Sequence, residues 1–266
     1  MSSHVTGRVA VHQQVLAHLL GRIERTPAID EPFTHIYFEE ILPPALYGRL
    51  LASLPEAAAY QTASEKHHLD GEIKGYVRSQ FALTTASIPN MPFGHQDLWL
   101  GVSAALTDPA LKRALFARLG KDLEYRYGKG DAAELAGYAR PTLYRETEGF
   151  EIPPHPDTRK KVVTMHFYLP ADDSQIDLGT ALYRHKLLSL PFGSWKKRFE
   201  KVKQFAFRAN SAYAFVVNNS LGKRSWHGRE KLPPGAGIRN TLLNTFYEDP
   251  REGYSGYLNA SVTRAA

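Results

Sequence analysis

Residues 140–170 read RPTLYRETEGFEIPPHPDTRKKVVTMHFYLP. Apolar and polar residues alternate in short runs on either side of a segment broken by Gly149 and the prolines 153, 154 and 156, so strands are expected over 138–145 and 161–169. Between those strands stand His155 and Asp157, two apart. On an extended segment residues i and i+2 point to one side. One imidazole and one carboxylate can then grip the same ion.

The strand pattern continues toward the C-terminus. Further strands are expected over 179–184, 204–208, 212–217 and 239–247, separated by Gly, Pro, Asn and Asp. Many short strands with turn residues between them suggest a β-sandwich or barrel. The N-terminal side differs. Residues 8–24 carry Val9, Val11, Val15, Leu16, Leu19, Leu20 and Ile23 at near-helical spacing. A strand is expected from Phe33 to Phe38, then a helix that Pro44 opens and Pro55 ends. Tyr76 to Leu83 reads as a strand and 94–119 as helical. No linker composition divides the chain. The expectation is one domain over 1–266, mainly β with flanking helices: a helix-rich buttress and substrate-gating part (1–125), a β core (126–250) and a tail (251–266).

The 266 residues contain no cysteine, which excludes disulfides, iron–sulfur clusters and thiol nucleophiles. Any metal must be held by nitrogen and oxygen. The N-terminus lacks the continuous apolar core of a signal peptide, and no stretch approaches the roughly 20 apolar residues that span a bilayer. A cytoplasmic protein is expected, as a monomer or homodimer. The formal net charge of +6 is spread along the chain and no nucleic-acid-binding signature accompanies it, so an anionic small molecule is a better partner than nucleic acid or membrane.

His227, in Trp226-His227-Gly228, can complete a set of two histidines and one carboxylate. Such a set leaves three adjacent positions open on an octahedral metal and suits non-haem iron(II). With eleven histidines in the chain, that triad alone is a weak signal. The residues around it strengthen it. Tyr144 and Gly149 precede His155-Pro156-Asp157. Thr164 and Tyr168-Leu169 follow on the next strand, then Gly179-Thr180-Ala181-Leu182, then Asn210 before the apolar run Ala212–Phe215. Arg239 lies twelve residues after His227. In this order and spacing residues 140–247 resemble the prolyl-4-hydroxylase-like branch of the iron(II)- and 2-oxoglutarate-dependent oxygenases, and 32–55 resemble the strand and helix that precede that core.

The resemblance implies a double-stranded β-helix, also called a jelly roll or cupin-like core. It implies that His155, Asp157 and His227 hold Fe(II), and that Arg239 binds the distal carboxylate of 2-oxoglutarate, with Thr241, Tyr144 and Thr164 lining the co-substrate pocket and O2 as the second co-substrate. It further implies oxidative decarboxylation of 2-oxoglutarate to succinate and CO2, coupled to hydroxylation of a C–H bond. Related halogenases carry a small residue where Asp157 stands, so hydroxylation is favoured over halogenation. His166 shares parity with Thr164 and is expected to have a structural, hydrogen-bonded role.

Tyr76, Arg78, Arg159 and Trp226 are candidate substrate contacts, with Gln80 near the same gate. The insert 187–203 reads either as a lid or as a loop and short helix capping the barrel. The substrate is expected to be a small molecule: an amino acid, a sugar derivative or a carrier-linked intermediate. The alternatives are a protein residue such as proline, and a non-catalytic cupin-like ligand-binding barrel.

Overall fold

In the computed structural model, residues 2–63, 77–186, 194–220 and 222–254 are described, the side chains of 2–6 apart. The N-terminal helix α1 (Ser2–Arg25) is followed by β1 (His35–Phe38), α2 (Pro44–Ala52), β2 (Gln61–Thr62) and β3 (Arg78–Ala82). Three helices come next: α3 (Phe93–Leu106), α4 (Pro109–Arg118) and α5 (Gly120–Tyr127). The remainder is β4 (Tyr138–Glu146), β5 (Ile152–His155), β6 (Lys161–Tyr168), β7 (Ala181–His185), α6 (Trp195–Arg198), β8 (Phe199–Gln204), β9 (Ser211–Val216), β10 (His227–Arg229) and β11 (Arg239–Tyr247).

The strands form two antiparallel sheets. One runs β1-β9-β6-β11-β4-β3-β2, the other β5-β10-β7-β8. From β4 onward the chain crosses repeatedly between them, which is the winding of the expected double-stranded β-helix. Among the described residues no helix is long and apolar enough to cross a membrane.

The helices bury the outer face of the larger sheet. Val11, Val15, Leu19 and Ile23 recur every four residues along α1, and all are buried in one apolar cluster with Trp99, Val102 and Leu106 of α3 and with Val163, Met165 and Phe246 of the sheet. Gly101 lets α1 approach α3: a Cβ there would stand 2.7 Å from Val11 and 2.8 Å from the Arg8 carbonyl. The helix expected over 94–119 is two helices. Pro109 cannot donate to a continuing ladder, and Asp108 caps the new start by accepting from the Ala110 N–H.

Three strand expectations need correction. The strand placed at 204–208 lies at Phe199–Gln204 instead. Phe205 and Phe207 leave the ladder because their rings join Tyr168, Tyr213 and Phe215 in a second apolar cluster, and their N–H groups go to Thr180 and Ile176. The strands β5 and β10 were not expected at all. They have four and three residues and contain prolines and a glycine, so neither shows a periodic run. In the insert 187–203, residues 187–193 lie outside the described residues. Residues 194–203 form α6 and the edge strand β8, which is paired to β7 and is therefore part of the barrel wall rather than a lid.

Candidate metal and anion site

The strands β5 and β10 pair so that His155 and His227 are direct cross-strand partners. Their ring centroids lie 4.5 Å apart. Asp157, just past the end of β5, points to the same centre. Its Oδ1 is 3.8 Å from His155 Nε2 and its Oδ2 is 3.7 Å from His227 Nε2. One donor atom from each of the three can be chosen so that all lie within 4.8 Å of one another.

Each imidazole is oriented through its other nitrogen. His155 Nδ1 bonds the Pro153 carbonyl at 3.0 Å, and His227 Nδ1 bonds the Ser225 carbonyl at 2.9 Å. With a proton on Nδ1 the tautomer leaves the Nε2 lone pairs for a metal. Burial keeps both rings neutral: it pushes His155 down to about 4, assisted by His227, and lowers His227 as well. For Asp157 burial acts the other way and would raise the pKa. The Lys161 ammonium, 2.5 Å from Oδ1, and the two imidazoles override it and hold the carboxyl well below its usual range. Thr164 also donates to Oδ2 at 3.1 Å. Two neutral nitrogens and one ionised oxygen are the protonation states that a divalent cation requires.

The triad opens into a cavity of about 410 Å³ between the two sheets. Farther along the same cavity lies a cluster of charge. Arg78 on β3, Glu146 on β4 and Arg239 on β11 are register partners across three adjacent strands. Glu146 is held between both guanidinium groups: Arg78 Nε lies 3.2 Å from its Oε1, and Arg239 Nη1 contacts its Oε2. Arg239 Nε donates to the Leu178 carbonyl at 2.9 Å, and its Cζ lies 4.4 Å from the Phe207 ring centroid. Its Nη2 is buried without a hydrogen-bond partner among the described residues.

The small sheet adds Arg229, two residues after His227 and 4% exposed. Its Nε and Nη2 likewise have no partner among the described residues. Burial, then the nearby charge of Arg239, lowers its pKa to about 10. His166 lines the same cavity; its Nδ1 bonds the Tyr213 hydroxyl at 2.9 Å while its Nε2 has no hydrogen-bond partner among the described residues. Burial, then the charges of Arg239 and Arg78, hold it well below its usual pKa.

His155, Asp157 and His227 converge. Arg239, Tyr144, Thr164 and Arg78 line the same cavity, and the Arg78 guanidinium lies 4.0 Å over the Tyr144 ring. The anionic partner for Arg239 was expected to come from a bound co-substrate alone; instead Glu146 already supplies one from the protein. Thr241 is fully buried, and its hydroxyl has no hydrogen-bond partner among the described residues. Arg159 is exposed and lines a separate hollow, where its carbonyl accepts from Arg126. Trp226 has opposite parity to His227, so it packs away from the cavity against Phe199, at a centroid distance of 4.7 Å. Tyr76 lies outside the described residues. Glu146 and Arg229 were not anticipated.

No protein-family model matches the chain, and no curated protein matches its sequence. Solved structures of similar shape include a Pseudomonas putida prolyl-4-hydroxylase (17% identity, 88% of this chain and 99% of that one, TM-score 0.45). Another is the epimerase SnoN in complex with Fe3+, alpha ketoglutarate and nogalamycin RO (12% identity, 88% and 83%, TM-score 0.43). A third is HygX from Streptomyces hygroscopicus with nickel, 2-oxoglutarate and hygromycin B (9% identity, 80% and 82%, TM-score 0.43). The chemistry of this chain rests on its own side chains.

Proposed function

We propose that this chain is an iron(II)- and 2-oxoglutarate-dependent dioxygenase that hydroxylates an unactivated C–H bond of a small molecule in the cytoplasm. The observation that carries the reading is one cavity with a two-histidine, one-carboxylate face at one place and unpaired guanidinium nitrogens at another. The donor set is nitrogen and oxygen without sulfur, which fits iron(II). The orphaned guanidinium nitrogens fit the far carboxylate of a short dicarboxylate co-substrate.

His155, Asp157 and His227 would hold the iron, and Arg239 and Tyr144 would line the co-substrate's end of the cavity. When bound, iron and 2-oxoglutarate together supply oxygen activation, with release of succinate and CO2. The protein's part is binding and orientation. Backbone carbonyls fix the tautomer of both histidines, while Thr164 and Lys161 keep Asp157 ionised and aimed. Glu146 holds two arginines in fixed positions before any ligand arrives. A cavity of about 410 Å³ suits a small molecule, being within the usual range for such sites.

The experiment is a succinate-release screen with iron(II) and 2-oxoglutarate against pools of small molecules and, separately, of peptides. Substrate-dependent succinate from a small-molecule pool, lost in His227→Ala, is the expected result. Release only with peptides would replace the small-molecule reading by a protein hydroxylase. Failure to bind a divalent metal would remove the oxygenase reading itself.

A further inference from the structure

Alternate residues of β4 face the cavity: Arg140, Thr142, Tyr144 and Glu146 all line it. Glu146 ends that row among Arg78 and Arg239. Arg140 begins it, about 20 Å away along the strand. Strand register fixes what Arg140 stands beside. It pairs with Thr245 of β11, and Thr245 pairs with Thr164 of β6, whose hydroxyl donates to Asp157 at 3.1 Å. Arg140 is therefore level with the residue that holds a metal ligand, two strand spacings or about 10 Å across the sheet from it.

The Arg140 guanidinium is half-buried and lies close to two aromatic rings, 5.9 Å from the Tyr247 centroid and 5.7 Å from that of Tyr254. The carboxylate it faces, Glu252, is 3.8 Å away, beyond hydrogen-bond reach, while Lys160 holds the same carboxylate at 3.0 Å. Arg140, Lys160 and Glu252 all line the cavity.

The charge of the whole cavity bears on what enters it. Six cationic side chains line it (Arg78, Arg140, Lys160, Lys161, Arg229 and Arg239) against three carboxylates, Glu146, Asp157 and Glu252. Glu230 acts on Arg229 from outside the lining and offsets one more of these charges. A positive excess remains. A divalent metal and a dianionic co-substrate cancel each other, so the loaded site keeps that excess. Clefts lined by one sign of charge concentrate ligands of the other.

Resting on the oxygenase reading above, we infer that the substrate is a small molecule carrying a carboxylate or phosphate group, and that Arg140 binds that group. The row that runs from Glu146 to Arg140 then separates two tasks. Its Arg239 end belongs to the co-substrate, and its Arg140 end holds the substrate level with the metal. Glu252 lies against Arg140 until the substrate anion takes its place.

The test uses protein in excess over manganese(II), with 2-oxoglutarate at saturation so that the co-substrate end is filled. Inorganic phosphate and acetate are titrated in separately, and paramagnetic broadening of the phosphorus and methyl-proton resonances reports binding close to the metal. Wild type should broaden at least one of them saturably, and the anion bound more tightly assigns the substrate's group. Arg140→Met should weaken that anion by about 10–100-fold, the range for charge-assisted hydrogen bonds, with manganese and 2-oxoglutarate affinities within about 2-fold of wild type. Glu252→Gln removes the competing carboxylate and should tighten the anion by about 2–5-fold. Misfolding cannot produce such a gain, and combining Glu252→Gln with Arg140→Met should abolish it.

Wild type that binds manganese and 2-oxoglutarate but broadens neither anion overturns the inference and leaves the oxygenase reading standing. So does an unchanged anion affinity in Arg140→Met. Wild type that binds no manganese overturns both.

Discussion

Glu146 answers to two guanidinium groups and reaches neither the metal centre nor solvent. Its isosteric neutralisation, Glu146→Gln, leaves Arg239 buried and Arg78 half-buried without a counter-charge. Breaking a buried pair from one side costs about 3–5 kcal/mol. Urea unfolding should show a loss of that order, and saturating 2-oxoglutarate should recover part of it by binding the folded state. A loss under 1 kcal/mol would mean that water reaches the cluster. His227→Ala removes a ligand whose Nε2 faces Asp157 at 3.7 Å, so divalent-metal affinity should fall by at least about 100-fold in a calorimetric titration, while the fold, read by circular dichroism, persists. The parity rule that joins His155 to Asp157 also joins Tyr144 to Glu146 and His227 to Arg229. It needs to know which face of a strand is inward, and that β10 exists. For β5 the pair of metal-binding residue types announces the face. For β10 a three-residue strand holding Gly228 announces nothing, so Arg229 was not legible.

At the scale of elements, what could be read from sequence follows length and periodicity. The nine-residue strands β4 and β11 and the eight-residue β6 alternate or run apolar long enough to be seen, and they carry Tyr144, Thr164 and Arg239. The short strands that carry the two histidines owe their existence to tertiary pairing rather than to propensity. Gly179 shows how such pairing is specified. A Cβ on it would stand 1.7 Å from the Phe205 carbonyl, where the chain leaves β8 and turns its phenylalanines inward. Gly101 plays the same part between α1 and α3, against the Val11 side chain and the Arg8 carbonyl. Gly101→Ala should destabilise by about 1–3 kcal/mol through overpacking. Because that contact lies on the far side of the larger sheet from the cavity, metal affinity should be unchanged. A paired drop in stability and metal affinity would show that helix packing and site geometry are coupled.

Across the whole molecule, the two sheets meet at a seam beside the outermost strands β1 and β8. His35 of β1 sits there, fully buried, with Nδ1 bonded to the Phe33 carbonyl at 2.8 Å and Nε2 3.1 Å from Lys203 Nζ of β8. A neutral imidazole can accept from that ammonium; a protonated one would repel it. Burial, the Phe33 bond opposing it and the charge of Lys203 reinforcing it leave the His35 pKa below its ordinary 6.5. In the unfolded chain His35 takes up a proton near 6.5, whereas in the folded chain it refuses that proton until a lower pH. The unfolded state therefore binds more protons below 6.5, and the contribution of His35 to stability, complete above that pH, declines as the pH falls toward the folded value. His35→Gln keeps a polar side chain that can accept from Lys203 and removes the titration. Urea unfolding at pH 7.5 and pH 5.5 should show a smaller acid-induced loss in the variant than in wild type. Hydrogen exchange at pH 5.5 should locate the extra opening of wild type in β1 and β8. Equal losses in the two proteins would place the acid sensitivity at other buried histidines, and would mean that the seam holds whatever the charge on His35.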